Sequence, residues 1–234
     1  TGIDHDMCFF RDDNRAVTTC PTTSVTGELK DSDKPNCLDL EHRKVVMIRY
    51  FTGDASQSSD SKDYAGGHGT HVAGSAAGAS LGSESDFNGA APGAKIAFDD
   101  IAKDSDLTAI PDSLYPWYFY PSHWAGGRIH SDSWGMETPW YDQTTAEIDR
   151  FTHENPDYLV FVAAGNDGPD TTAGSPATAK NILAVGASYN SLAAYKEYGM
   201  YTPLFSVDVL SEPGGTVLAS YDLVEAEFGP SIED

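Results

Sequence analysis

The sequence predicts a three-layer α/β domain in which helices cover both faces of a mainly parallel β-sheet. The 234 residues contain several short, apolar, β-branched runs, with helix-length intervals between some of them. Continuous apolar runs are typical of parallel strands, because the crossover helices bury both faces of the sheet. A hydrophobic content of 40% is sufficient for a substantial core in a chain of this length.

The pattern along the chain places the expected helices and strands. A helix is expected to begin near His68, and a second one to span 141–154, where Ala146, Ile148 and Phe151 can be buried. The expected strands are 45–51, 94–98, 128–131, 158–163 and 181–186.

The domain organisation follows from changes in composition. Residues 1–190 are expected to form one partial α/β domain, with a polar surface excursion over 11–43. Short segments broken by proline and glycine then indicate the start of an inserted β-rich segment at 191–234. Since the chain opens on Thr1 without an initiator methionine, we expect a cut there and a fold that is incomplete at both ends.

The charge balance excludes one class of partner. The chain has 14 basic and 36 acidic residues, for a net charge of −22. Nucleic-acid binding requires clustered Lys and Arg, so nucleic acid is not an expected partner. The acidic surface suits basic peptides or cations, although a simple solvated surface is the favoured explanation.

Three cysteines, Cys8, Cys20 and Cys37, leave two alternatives open. One disulfide with one remaining thiol is expected in an oxidising compartment, and three thiols in a reducing one. The sequence has no apolar run of the roughly 20 residues that span a bilayer.

The segment 66–78 places a histidine between a glycine-rich loop and a helix of small residues. An imidazole in the first turn of a rigid helix can face a cleft and serve as a general base. His68 and His71 are three residues apart, so they could instead bind a metal from one helix face, or have no chemical role. The segment lacks the His-Glu-x-x-His spacing of zinc proteases, which disfavours the metal site.

Two later segments end strands with groups that can bind a reacting peptide. The run 160–166 ends in Asn166, whose amide could donate to a developing oxyanion, although a plain Asn-Asp-Gly-Pro turn is the simpler interpretation. The extended stretch 131–135 ends at a glycine and could offer backbone groups to an extended peptide. Trp134 within it is of a residue type that is more often part of the core than a ligand contact.

In this order, the three segments resemble the subtilisin-like serine proteases, or subtilases. The histidine motif His-Gly-Thr-His-Val-Ala-Gly is complete at 68–74. The segment 89–96 is similar to the family's Gly-Val-Ala-Pro-x-Ala, and 175–187 is similar to the strand that follows the family's asparagine. The resemblance covers most of 45–188 and implies the subtilisin-like three-layer αβα fold.

The resemblance also implies roles for individual residues. His68 corresponds to the general base, Asn166 to the oxyanion donor, and Ser133, Trp134 and Gly135 to the wall that binds the substrate strand. The implied activity is serine-type endopeptidase cleavage of protein or peptide substrates, in the secretory pathway or outside the cell. No cofactor is required; calcium is often bound in the family, but no ligands are assigned here and no other metal is expected.

Two departures limit what this chain is expected to do. The family's aspartate stands in Asp-Thr-Gly or Asp-Ser-Gly, and the chain begins at Thr1-Gly2, so we expect the aspartate immediately upstream and do not expect Asp4 to replace it. The serine motif Gly-Thr-Ser-Met-Ala is absent, and Ser175 belongs to the segment after the asparagine. The chain alone is therefore expected to be inactive; the alternatives are a catalytically dead peptide-binding module and a metal hydrolase using His68 and His71.

Overall fold

Helices and strands alternate along most of the chain in the computed structural model. It describes residues 2–20, 34–51, 63, 67–82, 87–103, 107–108, 113–166, 173–186, 205–210 and 217–223. The helices are α1 (Lys34–Cys37), α2 (His68–Ala77), α3 (Tyr120–Trp124), which directly follows a π-helical turn (Tyr115–Phe119), and α4 (Gln143–Glu154). None of the described helices is both long and apolar enough to cross a bilayer.

The strands form separate ladders, of which those nearest the predicted site are parallel. The strands are β1 (Val45–Tyr50), β2 (Ile96–Asp100), β3 (Ala102–Lys103), β4 (Leu107–Thr108), β5 (Ile129–Asp132), β6 (Leu159–Ala163), β7 (Leu183–Val185), β8 (Phe205–Leu210) and β9 (Val217–Leu223). β1 pairs with β2 in parallel, and β5, β6 and β7 form a three-stranded parallel sheet. β3 with β4 and β8 with β9 are antiparallel pairs. The mainly parallel sheet and the α/β class are confirmed.

Strand β1 is buried between two layers. On one side, Val45 and Ile48 pack with Ala73 of α2 and with Phe10. On the other side, Val46 and Met47 pack with the buried cysteines Cys20 and Cys37 and with the end of α3. This packing explains why the run at 45–50 has no polar alternation, because both faces of the strand are covered.

Helix α4 packs against strand β6. Ile148 and Phe151 are buried against Val160 and Val162 of β6. Asp142 caps the helix, since its carboxylate accepts a hydrogen bond from the backbone N–H of Thr145 at 3.0 Å. The predicted helix therefore begins two residues later than 141, with Asp142 held outside it as the cap. Of the predicted buried positions, Ala146 is only half-buried.

Two other boundaries differ from prediction for identifiable reasons. The strand expected at 94 begins at Ile96, because the N–H of Ala94 donates to the carbonyl of Ala91 and closes a turn. The strand expected at 181 begins at Leu183, because the N–H of Asn181 donates instead to the Asp149 carboxylate of α4 at 2.7 Å.

The helical segment from 115 to 124 was not predicted from the sequence. It contains Pro116 and Pro121, which usually indicate a break. Each proline lies in the first turn of its helical piece, where the missing N–H has no intrahelical partner to lose. Phe119 from this segment is fully buried in the core around α4.

Basic side chains on β1 and beside it donate hydrogen bonds to backbone carbonyl groups. The contacts are Arg43 Nη1 to Ala79 O at 2.7 Å, Lys44 Nζ to Pro92 O at 2.9 Å and to Ala94 O, Arg49 Nη2 to Trp117 O at 2.8 Å, and Lys95 Nζ to His42 O at 3.0 Å and to Leu40 O. Lys44 is 2% exposed, and its burial lowers the pKa of the ammonium group. These cations connect β1 and the residues beside it to the segment after α2, the segment before β2 and the π-helical turn at 115–119.

The segment predicted as a polar surface excursion has buried parts. Cys20 and Cys37 form a disulfide, and Cys8 is the free cysteine. His42 is fully buried, where its Nδ1 accepts hydrogen bonds from the N–H groups of Lys44 and Val45. Residues 21–33 of this segment lie outside the described residues. The boundary expected at 190/191 stays a prediction, and β8 and β9 within 191–234 form an antiparallel pair.

One face of the β5–β6–β7 sheet carries exposed apolar side chains. Ile129 is paired with Leu159, and Phe161 is paired with Leu183, so their side chains share this face. The exposed large apolar residues on it are Ile129, Leu159, Leu183 and Val185. Such a contiguous apolar face favours association.

We expect the 234-residue chain on its own to self-associate through this face. Ile129, which is 72% exposed, lies on it, so Ile129→Lys should shift the chain toward smaller species in sedimentation velocity. Leu40→Lys is the matched control, because Leu40 is 55% exposed but lies in a turn elsewhere. A wild-type chain that remains monomeric and melts cooperatively would contradict this expectation.

Candidate functional site

His68 is the first residue of helix α2 and is exposed. The preceding Gly67 has a φ of 85°, a left-handed conformation that favours glycine and turns the loop into the helix. Gly69, Ala73 and Ala77 form the buried side of the helix, so the small residues of the motif face the core. The predicted helix start is confirmed, and the imidazole lies on a rigid element at its solvent-accessible end.

The first turn of α2 is tied to two other segments through Thr70. The backbone N–H of Thr70 donates to Asp63 Oδ2 at 2.6 Å, and its hydroxyl oxygen accepts from the backbone N–H of Asp4 at 2.8 Å. The threonine of the motif thus connects the beginning of the chain to the helix that carries His68. The sequence did not indicate this role for Thr70.

An open cavity of about 790 Å³ lies beside α2. Asp4, Asp63, Thr70 and His71 are among its lining residues. Among the described residues that line this cavity is His71, the second histidine of the motif, but not His68. The two imidazoles therefore have different surroundings. The described residues also contain no group of three or more His, Cys, Asp or Glu side chains arranged to hold a metal ion.

The far end of α2 is held by very close backbone contacts. The N–H groups of Ala90 and Ala91 donate to the carbonyls of Ser75 and Ala76, each at 2.9 Å. A Cβ on Gly89 would lie 2.3 Å from the carbonyl oxygen of Gly74. The segment 89–91 can therefore cap the helix only because position 89 is glycine.

The predicted peptide-binding residues follow β5. Asp132, the last residue of the strand, is buried; Ser133 and Gly135 are exposed, and Trp134 between them is half-buried. The N–H of Met136 then donates to the carbonyl of Ser175 at 2.7 Å.

The segment around Ser175 fits closely against the end of β5. A Cβ on Gly174 would lie 2.2 Å from the Met136 carbonyl oxygen, so this approach requires glycine. Ser175 is fully buried, which agrees with its exclusion as a nucleophile.

Asn166 follows β6 and is exposed. Gly165 before it has a φ of 125°, again a conformation that favours glycine. Because β5 and β6 are parallel neighbours with Asp132 opposite Val162, the chain leaves both strands at the same edge of the sheet. The structure thus brings Asn166 and the segment 133–135 to one edge, while His68 lies on α2, which packs against β1.

Behind the peptide-binding segment lies a buried polar network that the sequence did not reveal. Asp132 Oδ1 lies 3.0 Å from His130 Nε2, and His130 Nδ1 lies 2.8 Å from the Tyr158 hydroxyl. Tyr118 also donates to Asp132 Oδ1. The sequence did contain one indication of this network. His130, Asp132 and Trp134 are two residues apart, and side chains at that spacing in an extended segment lie on the same face.

The network shifts the ionisation of its members. Burial is the largest influence on His130 and alone would lower its pKa, but the carboxylates of Asp132 and Asp99 together outweigh it, so the pKa is raised. Burial raises the pKa of Asp99, and the nearby Arg49 opposes this only in part. Burial also raises the pKa values of the Tyr118 and Tyr158 hydroxyls, so both remain hydrogen-bond donors.

Residues 1–227 match the subtilase family. The chain belongs to the subtilase family. As a subtilase, it has the three-layer αβα organisation that the motifs implied.

Curated relatives of this subtilase chain include two proteins of Dictyostelium discoideum. The chain is 38% identical over 204 residues to the serine protease/ABC transporter B family protein tagD. The matched region covers 83% of the chain and 10% of that protein. It is 35% identical over 203 residues to the serine protease/ABC transporter B family protein tagB, covering 83% of the chain and 9% of that protein. The chain thus spans about a tenth of the length of these relatives.

A solved structure of a mutant of the protease domain of PatA is also similar to the subtilase chain. The TM-score is 0.47 at 21% sequence identity, and the match covers 81% of this chain and 55% of that one.

We expect Gly89→Ala to destabilise the end of α2 that lies against 89–91. The added Cβ must displace backbone atoms, so the free energy of unfolding should fall by about 1–3 kcal/mol, measured by urea denaturation. Gly93→Ala is the control in the same segment, because a Cβ there meets nothing within 4 Å. Equal effects of the two substitutions would show that the close contact is not limiting.

We expect His130 to make stability depend on pH near neutrality. Its pKa is raised from 6.5, so its stabilisation is complete below about pH 6.5 and is lost as the pH rises through the raised pKa. His130→Asn should therefore reduce the free energy of unfolding more at about pH 6 than at about pH 9. Exposed His153→Asn is the control, and a loss for His130→Asn that does not vary with pH would contradict the assignment.

Proposed function

We propose that this subtilase chain is part of the peptidase domain of a serine endopeptidase, with His68 as the general base. One observation carries the proposal: His68 is exposed at the first position of a helix whose start is fastened through Thr70 to Asp4 and Asp63. A general base must be held in place while its ring stays accessible to the reacting group. The names of the relatives tagD and tagB both include serine protease, which supports the same activity.

The oxyanion donor and the substrate wall in this proposal are at the edge of the parallel sheet. Asn166 is exposed where the chain leaves β6, and its side-chain amide can donate to the oxygen that becomes negative in the transition state. Ser133 and Gly135 are exposed beside it after β5, where their backbone can pair with an extended peptide. Trp134 completes this wall from its half-buried position.

The proposal assigns the remaining two members of the triad to other parts of the whole protein. In the family motif the aspartate precedes Thr-Gly, which is Thr1-Gly2 here, and the hydrogen bond from Asp4 N–H to Thr70 holds the segment around residue 4 beside α2. The serine lies further along the parent chain. In the complete enzyme the serine hydroxyl attacks the peptide carbonyl, His68 takes the hydroxyl proton, and the aspartate orients the imidazole.

Substrates, cofactors and location follow from the same proposal. The substrates are proteins or peptides bound in extended form, and the reaction requires no cofactor. Calcium remains compatible with the acidic chain, without assigned ligands. The disulfide between Cys20 and Cys37 supports a place in the secretory pathway or outside the cell, because disulfides persist in oxidising compartments.

The test is labelling of the whole parent protein with a fluorophosphonate probe, which reacts with an activated serine. We expect His68→Ala to slow labelling by about a thousandfold or more, because removing the base from a triad eliminates most of its activation. His71→Ala is the matched control, since His71 is exposed on the same helix three residues away, and it should keep wild-type labelling.

Each outcome bears on a different part of the proposal. Labelling that persists in His68→Ala would remove His68 from the mechanism. Loss in His71→Ala alone would assign the base to the second histidine. A wild-type protein that binds casein peptides without cleaving them or reacting with the probe would identify a catalytically dead peptide-binding module.

A further inference from the structure

A buried carboxylate lies directly behind the peptide-binding segment. Along β5 and the residues after it, the odd positions Ser131, Ser133 and Gly135 are exposed, whereas Asp132 is 2% exposed and faces the interior. Trp134 follows Asp132 on the same side of the extended chain. The side chain that ends β5 therefore lies under the residues that would contact a peptide.

A single oxygen of this carboxylate collects three hydrogen-bond donors. Asp132 Oδ1 accepts from Trp134 Nε1 at 3.0 Å, lies 3.0 Å from His130 Nε2, and accepts from the Tyr118 hydroxyl at 2.5 Å. The other oxygen, Oδ2, is buried and has no hydrogen-bond partner among the described residues. Hydrogen bonds to an ionised carboxylate are roughly twice as strong as those between neutral groups.

The contacts fix the Trp134 side chain from two sides. Its indole N–H is shared between Asp132 Oδ1 at 3.0 Å and the Tyr118 hydroxyl oxygen at 3.2 Å, and its ring packs edge-on against Tyr118 with centroids 6.2 Å apart. Two residues later, the N–H of Met136 is bonded to Ser175. The segment is thus anchored at residues 134 and 136, and the exposed Ser133 and Gly135 lie on either side of the first anchor.

We propose that Asp132 is a positioning residue for peptide binding: by holding the Trp134 indole, its carboxylate keeps Ser133 and Gly135 extended and presented to the substrate. The proposal rests on the proposed role of 133–135 as the substrate wall. Asp132 does not contact the reacting groups, so its removal weakens peptide binding in the ground state and the transition state equally.

The kinetic test uses the whole parent protein and a fluorogenic casein substrate. Asp132→Asn keeps the shape of the side chain but removes its charge, and we expect KM to rise about tenfold. We expect kcat to stay within about twofold of wild type. Trp134→Phe removes the indole N–H and should also raise KM, and the double substitution should raise KM by less than the product of the two single effects, because both substitutions act on the same contact.

Asp157→Asn is the matched control. Asp157 is also paired with a histidine, with its Oδ1 3.1 Å from His123 Nε2, but the pair is on the surface. It should leave KM unchanged. If KM for Asp132→Asn stays within about twofold, or if kcat falls while KM does not change, the positioning role is wrong.

A second measurement reports on the contact without requiring cleavage. In ¹⁵N-labelled protein, the indole N–H signal missing in Trp134→Phe identifies Trp134, and Asp132→Asn should move it and accelerate its exchange with water. An unmoved signal would overturn the contact.

If the wild-type protein cleaves nothing, the proposed endopeptidase function fails, and the binding of fluorescein-labelled casein peptides replaces KM. About tenfold weaker binding by Asp132→Asn then supports the positioning role. Equal binding by wild type and variant, or no binding by either, overturns it.

Discussion

The parallel pairing of β5 with β6 is the constraint on which the candidate site depends. It aligns Asp132 with Val162, so the two chain segments that follow leave the sheet at the same edge. The segment around Gly174 and Ser175 then joins them, since the N–H of Gly174 donates to Ala164 and the carbonyl of Ser175 accepts from Met136. A shift of one residue in this register would turn Asp132 outward and bury Ser133.

Helix α2 depends on a different kind of contact, because the backbone of 89–91 lies directly against the backbone at the end of the helix. The small residues of the histidine motif and of 89–91 are therefore geometric requirements as well as marks of a family. The strongest sequence signal coincides with the best-predicted element because Gly69, Ala73 and Ala77 of the motif are buried and Gly89 lies directly against the Gly74 carbonyl. The strands were predictable for a related reason, since burial on both faces leaves a continuous apolar run such as 45–50.

The features that the sequence did not reveal are those that depend on distant partners. His130 lies in the predicted strand 128–131 and Asp132 directly follows it. The hydrogen bond from Tyr118 to Asp132 requires the helical segment at 115–124, which was not predicted because it contains two prolines, and His130 meets Tyr158 only because β5 pairs with β6. In the sequence, Thr70 was recognisable only as a member of the histidine motif. Its contacts with Asp4 and Asp63, which are distant or outside the motif, form only in the folded chain. The cysteine pairing also stayed open until Cys20 and Cys37 were brought together.

The cations beside β1 show how a chain with a net charge of −22 uses its few basic residues. Arg43, Lys44 and Lys95 bind backbone carbonyl groups, which, unlike carboxylates, do not take up protons in the pH range of proteins. Acidification therefore neutralises the surface while these internal connections keep their partners. The connections from β1 to the segment after α2 and to the segment before β2 should therefore survive a fall in pH that changes the charge of the exterior.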